Sequence, residues 1–162
     1  MPVDTPCRYE DDLLLWTQEQ ASVLREADGR GIDLPLDWDN LAEEIEGLGR
    51  SERRELRNRL DTVIEHLLKL QHAHVIDPRR GWEETVLRER RRIEALLSDS
   101  PSLRQDVPDL VARLYPTIGQ SVAALLAERG EANRNVAAVI LATVYDEAHV
   151  LGPWLPEPPA GG

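Results

Sequence analysis

The chain has 162 residues, 41% apolar and 30% charged, with a net charge of −11 and no Phe, which is ordinary globular composition at about the length of one domain. One Cys excludes a disulfide framework and a multi-cysteine zinc site within a single chain. No apolar run approaches the ~18–20 residues needed to cross a bilayer, and the opening residues lack the basic and apolar regions of an export signal, so a cytoplasmic protein is expected.

Apolar residues near helical spacing predict a first amphipathic helix from Tyr9 to Ala27, with Tyr9, Leu13, Trp16, Val23 and Leu24 on its inner side. A turn over Ile32–Leu36 leads to Asp37, a cap for a second helix whose apolar side is Leu41, Ile45 and Leu48. Gly47 and Gly49 weaken that helix and Ser51 offers a new cap, which predicts a kink or break before a long helix from Glu52 to His74. Leu56, Leu60, Val63, Leu67 and Leu70 form its stripe, and it is the expected central core helix.

Asp77-Pro78 separates it from a helix over Gly81–Leu97, where Trp82, Val86, Ile93 and Leu97 share a face that also contains Arg90. A buried arginine wants a carboxylate, and Glu43 or Glu46 is the expected partner. Ser98–Ser102 reads as a turn and cap, followed by a helix from Leu103 to Glu128 in which Pro116 predicts a kink. The run Val136–Val144 is apolar nearly all round and reads as a buried helix. The expected class is all-α, a compact bundle of four long helices plus a C-terminal helical segment. Residues 1–151 form a single bundle domain, and the Pro- and Gly-rich tail 152–162 is extended or disordered.

Five strings then carry a resemblance: Trp16-Thr-Gln-Glu-Gln-Ala21, Asp37-Trp-Asp-Asn-Leu-Ala-Glu-Glu-Ile-Glu-Gly-Leu-Gly49, Ser51-Glu-Arg-Arg-Glu-Leu56, His66-Leu-Leu-Lys69 and Asp99-Ser-Pro-Ser-Leu103. In order and spacing, over residues 9–105, the chain resembles the bacterial family named domain of unknown function 29. The resemblance implies an α-helical bundle in a bacterial cytoplasm and supplies no catalytic residues. The C-terminal part departs from the family pattern, because the Ala- and Val-rich run precedes Asp146-Glu147.

The side chains that could carry chemistry are scattered. Asp146-Glu-Ala-His149 spells a helicase motif, but no phosphate-cradling glycine loop accompanies it, and Lys69 is the only lysine. A metal site in the bundle would need His66 or His74 to meet His149 with Glu65, Asp146 or an acidic group from the second helix. None of the histidines has the i, i+4 spacing that lets two imidazoles share one ion; on the helix, His74 follows the apolar stripe and His72 points to solvent. Glu43, Glu44 and Glu46 suit the start of a helix better than acid–base work, Ser51 and Ser102 read as caps, and Cys7 has no base beside it.

Charge is segregated along the chain. Residues 9–49 hold twelve acids against two arginines, whereas residues 50–99 hold twelve bases against ten acids. The stretches Arg50–Arg59 and Arg88–Arg92 interleave glutamates at helical spacing, the pattern of a salt-bridged surface more than of a phosphate track. No catalytic, cofactor-binding or metal residue is assigned and no cofactor is expected. The leading expectation is a non-catalytic interaction or accessory module with a protein partner or its own copy, without a membrane and without nucleic acid. Two alternatives stay open: a metal-dependent hydrolase or oxidase using His149, Asp146 and His66 or His74, and nucleic-acid binding through the arginine faces.

Overall fold

The computed structural model describes residues 6–31, 34–132 and 135–159; part of the expected Ile32–Leu36 turn and the last three residues of the tail lie outside them. Among the described residues there is no strand, and the fold is an all-α bundle. Four long helices, α1 (Leu13–Gly29), α2 (Trp38–His72), α3 (Arg79–Asp99) and α4 (Val107–Arg129), are followed by two short ones, α5 (Val136–Ala142) and α6 (Glu147–Leu151). A 3₁₀ turn over Pro101–Asp106 precedes α4. The chain divides into two compact units, one of residues 1–56 and 95–105, the other of residues 57–94 and 106–162.

In the first unit, α1 starts at Leu13 rather than Tyr9 because Asp12 caps it. The Asp12 carboxylate accepts the Leu15 N–H at 2.8 Å, and also the N–H and hydroxyl of Ser102 at 2.6 and 2.9 Å. Ser100 Oγ accepts the Leu14 N–H at 3.2 Å, so two serines of the 95–105 segment fix the start of α1. Ser102 thus serves the cap of another helix instead of capping its own.

The expected break at Gly47 and Gly49 is absent: α2 is continuous, and Ser51 lies exposed inside it. The glycines have different roles. A Cβ on Gly49 would lie 2.7 Å from Thr17 Oγ1 and 2.9 Å from a Leu14 methyl, so α1 and α2 pass too closely there for any side chain. A Cβ on Gly47 would meet only the Arg50 guanidinium, at 3.6 Å. This close approach also shifts the inner faces. The buried residues of α1 are Leu14, Thr17 and Ala21, and α2 buries Ala42 and Gly49, while Val23, Leu41 and Leu48 are exposed.

In the second unit the expected stripe holds: Leu60, Val63, Ile64, Leu67, Leu68 and Leu70 are fully buried. Val86 and Ile93 join them from α3, and Val111, Val122 and Leu126 from α4. Against the expectation that no apolar run approaches a bilayer span, the segment Pro101–Arg129 is by length and composition apolar enough to cross a membrane, with a mean hydropathy of 1.2 over its best 18 residues. Its buried side chains recur every three or four residues from Val107 to Leu126, the pattern of a helix with one face in a protein core. α4 continues through Pro116, and a Cβ on Gly119 would strike the Ile140 side chain at 2.8 Å, which sets how closely α5 lies on α4.

Arg90 is buried in the α3 face, as expected, but its partner is not a carboxylate. Its guanidinium donates to the carbonyls of Val150 at 2.8 Å, His149 at 2.7 Å and Trp154 at 2.9 Å, closing the C-terminal end of α6 and holding the tail. Glu46 pairs instead with Arg25 and Arg50, and the Arg25 hydrogen bond holds its carboxyl below the usual range. Arg79 donates to Leu70 O at 2.6 Å and to Pro156 O, so residues 154–159, without regular structure, are fastened by backbone carbonyls.

Next to Arg90, the buried Glu89 carboxylate accepts from Arg59 at 2.8 Å, Arg92 at 2.9 Å and Arg88 at 3.2 Å. Burial pushes its pKa up, but the Arg59 and Arg88 hydrogen bonds and the Arg92 charge outweigh that, and the carboxyl sits below its ordinary value.

Three outcomes are expected. Gly47→Ala raises stability by about 0.5–1 kcal/mol through helix propensity, whereas Gly49→Leu lowers it by about 2 kcal/mol or more through overpacking; urea midpoints of the pair measure both. Arg90→Met strands one buried and two part-buried carbonyls and costs about 3 kcal/mol, with faster proteolysis within residues 152–162 as the local readout. Glu89 stabilises fully above the ordinary glutamate value of about 4.3, and that contribution is lost as pH falls through its lower folded value. Glu89→Gln is therefore less stable at pH 7, by about 1–2 kcal/mol, and its stability falls less steeply below pH ~4 than that of the wild type.

Candidate functional site

A candidate binding feature lies in the second unit, where α2 stops and α5 begins. α2 ends at His72, after which the chain turns and the His74 N–H donates to Glu131 O at 2.7 Å. α4 ends at Gly130, whose left-handed backbone (φ 64°) is the usual helix stop. Between the α2 terminus, the start of α5 and the tail opens a cleft of about 580 Å³, lined by Gln71, His72, His74, Asn135, Val136, Val139 and Pro159. The volume falls in the range of small-molecule and anchor pockets, about 300–1,000 Å³.

Chemically the cleft is two-sided. Val136, Val139 and Pro159 supply an apolar wall, while two amides and two imidazoles supply hydrogen-bonding groups; none of the seven is Asp, Glu, Lys or Arg. Gln71 is held in place because its Oε1 accepts the Tyr145 hydroxyl at 2.6 Å. Tyr145 is buried, and burial pushes its phenol pKa up, so it stays a donor. Burial pushes the His72 imidazole down, which favours its neutral form, and its Nε2 is enclosed without a hydrogen-bond partner.

The histidines therefore sit opposite to their sequence placement. His72, expected toward solvent, is half-buried, and His74, expected in line with the core stripe, is exposed. The reason is the helix end: beyond His72 the backbone leaves the 3.6-residue repeat, so the periodic projection fails for His74. His66 gives its Nδ1 to Thr62 O at 2.8 Å within α2.

Asp146 and His149 form the capping box of α6. The Asp146 carboxylate accepts the His149 N–H at 2.9 Å, and the His149 ring nitrogen lies 2.6 Å from the same carboxylate. The His149 ring stacks on Tyr145 with centroids 5.6 Å apart, and Trp154 packs edge-on against both. Trp154 is thus half-buried. Among the described residues no three His, Cys, Asp or Glu side chains gather as a metal site would require. His72 and His74 line one cleft, while His66 and His149 are engaged elsewhere.

The remaining candidates have local partners. Cys7 donates its N–H to Glu19 at 2.8 Å, and burial with the nearby Asp12 and Glu19 charges pushes its thiol up, away from the thiolate a nucleophile needs. Arg59, Arg88 and Arg92, from the two arginine-rich stretches, converge on Glu89. The cleft itself was missed by sequence reasoning. The stop at Gly130 and the capping-box spacing Asp-x-x-His were its legible signals, since together they bound a short segment that cannot be one long buried helix.

α5 bounds the cleft and also carries the largest difference from expectation. Only Val136 and Ile140 of this helix are buried; Ala137, Ala138, Val139, Leu141 and Ala142 are exposed, with Val139 at 49% and Leu141 at 50%, and Val144 beyond it at 67%. The run has no charge from Asn135 to Tyr145.

Among solved structures the chain is similar to an alpha-helical protein of unknown function from Rhodospirillum rubrum, at 25% identity and a TM-score of 0.70, over 91% of this chain and 90% of that one. No curated protein matches it. The family model described as Domain of unknown function DUF29 matches residues 8–146, well beyond the stretch that carries the sequence strings, and the chain belongs to that family.

Proposed function

We propose that the chain is a non-catalytic interaction module that presents α5 to a protein partner. The observation that carries this is the exposure of Val139, Leu141 and Val144 in a run with no charge, on a chain that is otherwise 30% charged. Apolar surface left in water is a cost that a partner removes, at about 25 cal/mol per Å².

The shape of that surface selects the kind of partner. A seven-residue helix is only about 10 Å long, too short for a flat contact to supply the roughly 800 Å² per side of a stable interface. A groove that encloses the helix on several sides recovers more area from the same residues. In sequence Glu128, Arg129, Glu131 and Arg134 precede α5 and Asp146 and Glu147 follow it, four acids against two bases, and the whole chain carries −11. The complementary partner is therefore an apolar groove with a basic rim.

Leu141→Asp tests the proposal, because an exposed side chain can be changed at a cost within about 0.5 kcal/mol of stability. A basic protein captured by the wild type, purified and titrated calorimetrically, is expected to bind the variant at least ~10-fold more weakly, with an unchanged far-ultraviolet spectrum. Equal affinity for both proteins overturns the assignment of α5. A dimer of this chain in light scattering that Leu141→Asp dissociates replaces the basic partner with a second copy.

A further inference from the structure

We infer that the cleft beside α5 receives an uncharged aromatic side chain with a polar tip, a tryptophan or tyrosine of the protein partner. The inference rests on the interaction reading above and adds to it the residue that anchors the complex.

Three observations lead there. Val139 belongs to both surfaces: it lines the cleft and stands half exposed on α5, so a molecule covering α5 also covers the mouth of the cleft. Second, the lining pairs an apolar wall of Val136, Val139 and Pro159 with hydrogen-bonding groups on Gln71, His72, His74 and Asn135. Tryptophan and tyrosine match that division, with an apolar body and one N–H or O–H at the edge, and they are the residues that most often fill pockets at the centre of an interface. Third, none of the seven described lining residues is Asp, Glu, Lys or Arg. A phosphate, a carboxylate or an ammonium group would meet no permanently charged partner among them, and leaving water without one is unfavourable.

The wall is preset. The Tyr145 hydroxyl fixes the Gln71 amide from behind, and the His74 N–H is tied to Glu131 O, so the α2 terminus is positioned without a ligand.

N-acetyl-tryptophanamide and N-acetyl-tyrosinamide are the probes, followed by NMR of the His72 and His74 imidazoles and the Val136 and Val139 methyls. Both amides are expected to shift these resonances saturably at about 1–10 mM, the affinity range of a single side chain. N-acetyl-leucinamide and N-acetyl-argininamide are expected to bind at least ~5-fold more weakly. No shift with the aromatic amides, or equal shifts with all four, overturns the inference.

His74→Trp fills the cleft from the wall opposite α5 at an exposed position. It is expected to weaken the captured partner at least ~10-fold while leaving residue 141 untouched. A partner that depends on Leu141 but ignores His74→Trp overturns the anchor alone and leaves the interaction reading standing. Aromatic amides that bind while the partner ignores Leu141→Asp overturn the interaction reading, and with it the assignment of the aromatic group to a partner.

Discussion

The C-terminal part of the second unit depends on one guanidinium. α6 has five residues, far fewer than the roughly 12–15 a helix needs to persist alone, and residues 154–159 form no regular structure of their own. Arg90 reaches three carbonyls in these two segments, and Arg79 reaches a fourth in the tail. The two arginines are eleven residues apart, close to three full turns, so both project from one side of α3. A planar fork with five donors can span carbonyls in this way, whereas an ammonium point charge cannot hold the same geometry. With α6 and the tail held, the Tyr145, His149 and Trp154 rings pack together, and the Tyr145 hydroxyl in turn fixes Gln71 on the wall of the cleft.

Helix positions were largely legible in the sequence because large apolar residues at 3.6-residue spacing mark them. The stripe from Leu56 to Leu70 and the face of Val86, Arg90, Ile93 and Leu97 lie buried as that pattern requires. Where the inner face is made of small residues, the pattern misleads. Ala21, Ala42 and Gly49 carry little hydrophobic weight, yet they lie on the buried sides of α1 and α2, while the neighbouring Leu41 and Leu48, which periodicity places inside, are exposed. Gly49 is the sharpest case, since the same residue type that weakens a helix by propensity is the one that permits two helices to touch. Periodicity fails again at His74, because it holds only while the helix lasts and α2 ends at His72.

The chemistry-bearing side chains show a second limit of sequence. Asp146-x-x-His149 has the spacing of a metal motif and of a capping box, and only the helix that starts at Glu147 separates the two. Arg90 was legible as buried, but its counterpart was not, because backbone carbonyls are present at every position and leave no trace in the sequence. Glu89 is the converse. Its burial is masked in the sequence by the arginines around it, and it is those arginines that keep it charged. Asp12, Glu89 and Arg90 all leave water against named partners; the His72 Nε2 and one Arg90 nitrogen are the buried polar side-chain atoms left unmatched among the described residues.

α5 poses a different kind of question, one of demand. The helix is fastened by Val136 and Ile140, by the close fit of Ile140 against Gly119, and by the Tyr115 hydroxyl on the Ile140 carbonyl at 3.0 Å. Those contacts account for its attachment. Val139, Leu141 and Val144 add little to it, since about half or more of each residue remains in water, and a polar residue at any of these positions would leave the core intact. Folding therefore sets the identity of two residues in this run and leaves the others open. Physical economy would fill open positions of a chain this highly charged with charged or polar groups, yet eleven consecutive residues, Asn135 to Tyr145, carry no charge. The apolar character of the outer face is thus not set by the chain's own fold, and it is the observation on which the proposed partner surface rests.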